Sequence, residues 1–340
     1  MPIAREAIAK HYSHPRLPAI DPASVILTAG TSGALYTAIT SLCEKGTNLL
    51  MPQPGFPLCG TICENLGVSV KRYRLLPEKE WQVDLKHLES LVDENTAAIL
   101  VNNPANPCGS VFSEEHMLEI LALAERVKLP IIADEVYYGM AYDKSIKFIP
   151  FAHVGADQKE DAPKVPIISV CALSKIYCIP GWRLGWVIFH DQHGYFKNTI
   201  EGALRVSQIW LHPQVPLQAA LPNILGKVPE SYMEDFLSKL STAADYVYSE
   251  IREKLGEYLI PVRTRGAMYM MLQIRLDKLD SSISSDVDFA QYLVNEQGVL
   301  MLPGKCFSAP SFVRVVLCHN TDFFATMIER LQLFCEAHSI

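Results

Sequence analysis

Lys175 closes an apolar run, and a Pro-Gly turn then leads to Arg183, in the stretch Ala172-Leu173-Ser174-Lys175-Ile176-Tyr177-Cys178-Ile179-Pro180-Gly181-Trp182-Arg183. An amine so placed, with an arginine shortly after it, suits a cofactor that carries both an aldehyde and a phosphate. The lysine forms an imine with the aldehyde, and the planar guanidinium clamps the phosphate with paired N–H donors. Gly30-Thr31-Ser32-Gly33, between a first strand and an amphipathic helix, offers free backbone N–H groups for the same anion. The same four residues also suit an ordinary helix cap.

Two more polar clusters follow apolar runs directly. Asn102-Asn103-Pro104-Ala105-Asn106-Pro107-Cys108-Gly109 forces an abrupt turn, because a residue before proline avoids helix and glycine permits sharp reversals. It leaves the Asn106 amide at the carboxyl edge of the sheet, where open α/β sheets bind ligands; a plain strand-to-helix turn has the same signature. Asp134-Glu135-Val136-Tyr137 ends another run. A carboxylate buried there is costly unless it is paired, and a protonated pyridine nitrogen is a fitting partner. A helix cap or a structural ion pair is the alternative. Strand alternation puts Asp134 and Tyr137 on opposite faces, so both reach one ring only if the strand ends near Val136.

The elements that must carry these residues are legible too. Residues 25–28, 48–51, 98–101, 130–133 and 166–170 are nearly continuous apolar runs, as strands covered on both faces are. Helical spacing separates them: Ala34, Leu35, Ala38, Ile39 and Leu42 in one segment, and Met117, Leu118, Leu121, Ala122 and Ala124 in another, capped by Ser113. The alternation predicts a mostly parallel α/β sheet. Farther on, the spacing predicts a long helix over 232–255, strands at 268–274, 298–302 and 312–318, and a closing helix from Phe323. The expected division is a large domain of residues 1–230 and a smaller α+β domain of residues 231–340.

Bulk properties narrow the class. The 340 residues are 49% hydrophobic and 20% charged, an ordinary globular composition with room for about two domains. A net charge of −7, with 30 basic residues scattered among 37 acidic ones, leaves no basic patch for nucleic acid. No stretch approaches the ~20 apolar residues of a membrane span. Arg5, Glu6 and Lys10 interrupt the first residues, so no secretory signal is expected and the cytoplasm is the default location. Nine cysteines without zinc-site spacing read as free thiols in a reducing compartment. His190 and His193 form only an H-x-x-H that suits a surface turn, and no metal is expected.

Together these stretches resemble the pyridoxal-phosphate-dependent aminotransferases of fold type I. Pro52-Gln53-Pro54-Gly55-Phe56, residues 101–112, residues 180–186, Gly266-Ala267-Met268-Tyr269 and Phe312-Val313-Arg314-Val315-Val316 extend the likeness over essentially the whole chain. The resemblance implies a large αβα domain around a mostly parallel sheet, a smaller α+β domain, and pyridoxal 5′-phosphate as cofactor. It implies that Lys175 carries the cofactor and moves the substrate α-proton, that Asp134 pairs with the ring nitrogen, and that Thr31, Ser32 and Arg183 hold the phosphate. Tyr137 and Asn106 are implied to bond ring oxygen O3′, with Asn106 also touching the substrate carboxylate. Phe56 is implied to stack on the ring, although a core phenylalanine looks the same. Arg314 is implied to fork onto the substrate α-carboxylate, the alternative being a snorkelling surface residue.

The likeness further implies a homodimer acting on aromatic amino acids, L-tyrosine with 2-oxoglutarate foremost, in tyrosine and phenylalanine catabolism. A cysteine-S-conjugate β-lyase on the same scaffold and a truncated, non-catalytic paralogue are the alternatives. Three departures stand out. Ala172 replaces a serine that often binds phosphate in the family, so one phosphate hydrogen bond is expected to be missing. Ile176 replaces a basic or polar residue, with no mechanistic consequence that we can assign. The likeness starts at Met1, so a preceding family segment, with a glycine loop and a tyrosine that reaches the partner's phosphate, is expected to be absent, leaving apolar small-domain surface bare.

Overall fold

The computed structural model of the chain describes residues 1–155, 163–211 and 213–340. The apolar runs become the larger sheet: β1 (Val25–Thr28), β2 (Asn48–Gln53), β3 (Ser69–Leu76), β4 (Gln82–Val83), β5 (Thr96–Asn102), β6 (Ile131–Asp134), β7 (Ile167–Ala172) and β8 (Gly185–His190). Their order is β1-β8-β7-β6-β5-β2-β3-β4. The neighbours from β3 through β7 run parallel, while β8 is antiparallel to both β1 and β7. β6 and β7 are buried at every position, as strands covered on both faces must be. The sequence reading located β1, β2, β5, β6 and β7. It missed β3, where Lys71, Arg72 and Arg74 break up the apolar run, and it missed β8 and the short β4.

Register explains why the polar loops meet. Asn102 pairs with Asp134 across β5 and β6, and Asp134 pairs with Val170 across β6 and β7. Gly185 sits between Thr28 and Ala172. The ends of β1, β5, β6 and β7 therefore share one edge, and the segments carrying Thr31, Asn106, Tyr137 and Lys175 all leave from it. Ser113 caps the helix Glu114–Arg126 as expected, its hydroxyl accepting the His116 N–H.

The rest of the chain forms a second, antiparallel sheet of β9 (Leu259–Pro261), β10 (Tyr269–Ile274), β11 (Leu302–Pro303) and β12 (Phe312–Val316), in the order β11-β12-β10-β9. The long helix Glu230–Lys254 buries Leu240, Ala243, Ala244 and Val247 against it, and Thr321–Ala337 closes the chain. The strand expected at 298–302 is reduced to Leu302–Pro303. Gly298 is used instead as a left-handed cap (φ 64°) on the helix Asp286–Gln297, and the chain reaches the ladder only afterwards.

The two sheets are joined through the Asn-Pro loop. The Gly109 carbonyl accepts N–H groups from Arg265 (2.8 Å) and Gly266 (2.9 Å) and the Thr264 hydroxyl (3.0 Å). Gly109 adopts φ +66°, and an added Cβ there would strike the Thr264 side chain and the Tyr269 carbonyl. Gly109→Ala is therefore expected to lower stability by more than about 1 kcal/mol. Urea unfolding measures this, and an unchanged midpoint would contradict the tight approach.

Candidate active site

All nine residues chosen from the sequence (Thr31, Ser32, Phe56, Asn106, Asp134, Tyr137, Lys175, Arg183 and Arg314) line one cavity of about 270 Å³ at this shared edge. β6 ends at Asp134 itself, and the turn after it brings Tyr137 round to the same side. The condition set by strand alternation is met because the strand stops even earlier than Val136.

Asp134 is 3% exposed, and its Oδ1 accepts the Val136 N–H at 3.2 Å. No cation among the described residues pairs with it. Burial pushes its carboxyl up to about 7, with the Val136 bond pulling weakly the other way. Neither a helix cap nor a structural ion pair accounts for it. Glu135 is also pushed to about 7 by burial, but its Oε1 accepts the Phe151 N–H at 2.7 Å and it does not line the cavity.

The cavity wall also carries groups that suit an anion. The helix Gly30–Leu42 starts at Ala29 with no side-chain cap, and the buried Thr31 Oγ1 has no hydrogen-bond partner. An ordinary capped terminus would show neither. Arg183, in the left-handed region at φ 49°, donates to main-chain carbonyls, those of Pro180 and Ala29, each at 3.1 Å, and pairs with no acid among the described residues. Gly30 makes room for it, since a Cβ there would lie 2.6 Å from Nη2. Ala172 is buried at the end of β7, and Ser174, beside the lysine, lines the cavity instead.

Arg314 faces the cavity from β12. Its Nη1 donates to Asn106 Oδ1 at 2.7 Å, while its buried Nε has no partner. The guanidinium lies over the rings of Tyr269 (4.2 Å) and Phe307 (4.6 Å), and no acid among the described residues pairs with it. It is not a snorkelling surface residue. Lys175 is half-buried, with Nζ 6.0 Å from the Tyr137 ring centroid. Phe56 serves both readings at once, packing partly on the core and partly forming the cavity wall.

Sequence reasoning missed Asn102, Ser174 and Tyr269, which also line the cavity. Asn102 ties two loops together: its Oδ1 accepts the Asn106 N–H (2.7 Å) and its Nδ2 donates to the Asp134 carbonyl (2.9 Å). An asparagine ending an apolar strand was the available signal. Tyr269 accepts the Tyr137 hydroxyl at 3.0 Å, a contact across 132 positions that no local pattern reveals. The arrangement suits a ligand with a cationic group for Asp134 and anionic groups for Arg183 and Arg314. Among the described residues no cluster of three or more His, Cys, Asp or Glu is arranged to hold a metal.

Comparison with known proteins points the same way. The sequence model of aminotransferase class I and II matches residues 2–331. Tyrosine aminotransferase from Mus musculus is 43% identical over 336 residues, which cover 98% of this chain and 71% of that protein. The Dictyostelium discoideum tyrosine aminotransferase is 38% identical over 340 residues, 99% of this chain and 79% of that one. The solved tyrosine aminotransferase of Leishmania infantum superposes with a TM-score of 0.92 at 28% identity, covering 100% of this chain and 82% of that structure.

The isolation of Asp134 has a measurable consequence. Its folded value, about 7, lies above the ordinary 3.8, so the stability it contributes is complete below about pH 4 and is lost as pH rises through 7. In ligand-free protein, Asp134→Asn lacks this loss. Its melting temperature should gain on wild type as pH goes from about 4 to about 8. A constant difference across that range would show that Asp134 has a cationic partner in the protein.

Proposed function

The chain belongs to the aminotransferase class I and II family, and from that premise we propose that it moves the amino group of an aromatic amino acid, L-tyrosine foremost, to 2-oxoglutarate, using pyridoxal 5′-phosphate. The observation that carries the reading is Lys175, Asp134, Arg183 and Arg314 facing one cavity in which, among the described residues, no counter-charge pairs with the acid or either arginine. The sheet order and the second antiparallel sheet are those of fold type I.

The residues fit that cofactor, as the unpartnered Thr31 hydroxyl, the isolated Asp134 and the close approach of Gly30 to Arg183 indicate. When bound, it supplies an aldehyde carbon to which an amine attaches and a ring that withdraws electrons. Asp134 holds the proton on the ring nitrogen, which also gives the buried carboxylate its missing cation. Arg183, Thr31, Ser32 and the first N–H groups of the Gly30–Leu42 helix hold the phosphate. Tyr137 and Asn106 would offer donors to the ring oxygen, and Phe56 would supply an apolar wall for the ring. Arg314 grips the substrate α-carboxylate, with Asn106 beside it. Lys175 Nζ accepts the α-proton of the amino acid.

The reading includes a cofactor-holding domain of residues 1–230 and a smaller domain of 231–340, with the boundary at the start of the helix Glu230–Lys254. It also includes a homodimer. Ile209, Leu211 and Val215 are 72%, 73% and 60% exposed, and Leu211 shares a groove with Ser32, which suits an apolar contact beside the phosphate end. Nine free cysteines fit a cytoplasmic location. No helix among the described residues is long and apolar enough to cross a membrane.

Mixing the protein with pyridoxal phosphate should produce a visible absorbance that disappears in Lys175→Ala; matching spectra would exclude the lysine as the attachment point. Arg314→Lys should raise KM about tenfold or more for amino and oxo acids alike, because a point charge replaces a fork. An effect confined to tyrosine would contradict the carboxylate role.

A further inference from the structure

Arg314 is aimed without an ion pair. Its Nη1 donates to Asn106, no acid among the described residues pairs with it, and two aromatic rings, Tyr269 and Phe307, lie under its guanidinium. An acid in that position would steer the arginine but would also neutralise it and occupy the N–H groups a substrate carboxylate needs. An aromatic face attracts the cation through its quadrupole and leaves those donors free.

Tyr269 is suited to this because of where the ladder places it. Arg314 on β12 pairs with Met271 on β10, so Tyr269, two residues earlier on the same face, is its diagonal neighbour. The same side chain has a second contact. Its hydroxyl accepts the proton of Tyr137 at 3.0 Å, the two rings meet edge to face with centroids 5.9 Å apart, and both are buried.

We propose that Tyr269 is a positioning residue that couples the two ends of the reaction: its ring orients Arg314 for the substrate carboxylate, and its hydroxyl orients Tyr137 for the cofactor ring oxygen. This rests on the aminotransferase reading of the cavity. When Tyr137 donates to the ring oxygen, the phenol–phenol bond reverses. Tyr269 then donates to Tyr137, and a chain of donors in series makes Tyr137 the stronger donor.

The two contacts separate by mutation. Tyr269→Phe keeps the ring and loses the hydroxyl. It should bind 3-phenylpropanoate, measured by calorimetry on the full chain without cofactor, within about twofold of wild type. In the loaded protein, the pH at which the visible absorbance titrates should rise by about half a unit, because a weaker donor leaves the ring oxygen more basic. Tyr269→Leu loses both contacts and should weaken 3-phenylpropanoate binding about tenfold, with KM for amino and oxo acids raised alike.

Arg314→Lys is the benchmark. If it weakens 3-phenylpropanoate binding while Tyr269→Leu does not, the positioning role is overturned and the Arg314 assignment stands. If Arg314→Lys binds like wild type, the carboxylate reading of the cavity itself fails. Should Tyr269→Leu not fold, the titration of Tyr269→Phe decides, and an unmoved midpoint overturns the coupling.

Discussion

One buried carboxylate of the cavity, Asp134, to which the described residues supply no counter-ion, governs this structure. Asp134 is carried to the edge of a sheet buried on both faces, at the point where β6 stops, and the protein supplies only one backbone N–H to its oxygens. Burial of this kind opposes ionisation, and a cation from outside the chain relieves it. The surrounding residues make sense as parts of a site that receives such a cation. Asn102 fixes the Asp134 backbone, Tyr137 turns in beside it, and Lys175 approaches on the neighbouring loop.

The same logic repeats with opposite sign at two other places. Among the described residues Arg183 donates to carbonyl oxygens, and Arg314 meets an amide and two aromatic rings. Both are cations aimed by neutral groups. A charge aimed without being neutralised keeps its full attraction for a ligand, at some cost in folding stability. The Gly109 stitch and the Asn106–Arg314 bond tie the two sheets together across the cavity, so that the carboxylate-gripping arginine is held in register with a loop of the larger sheet.

Much of the fold was readable from periodicity. Strands covered on both faces read as unbroken apolar runs, so β1, β2, β5, β6 and β7 stood out, and the long helix Glu230–Lys254 showed its apolar side. β3 did not, because its basic side chains obscure the run, and the segment after Gly298 was misread because a helix cap and a strand start look alike there. The nine candidate site residues were legible for a different reason. Lys175, Asp134 and Asn106 stand at or just past the ends of apolar strands, where polar groups are expensive to place without a partner, whereas Phe56 and Arg314 were found through the family resemblance.

What the sequence determined by itself was the kind of chemistry: which amine, which acid and which arginines, each implying one part of a ligand. Only the tertiary structure decided how these parts are aimed. Tyr269 beneath Arg314 and against Tyr137, Asn102 bracing Asn106, and Ser174 facing the cavity while Ala172 is buried in the strand end all depend on register between elements distant in the chain. Local patterns report whether a residue is buried. They carry no record of which neighbour buries it, because that depends on pairings between β10 and β12 and between β5 and β6 that arise only when the whole chain packs.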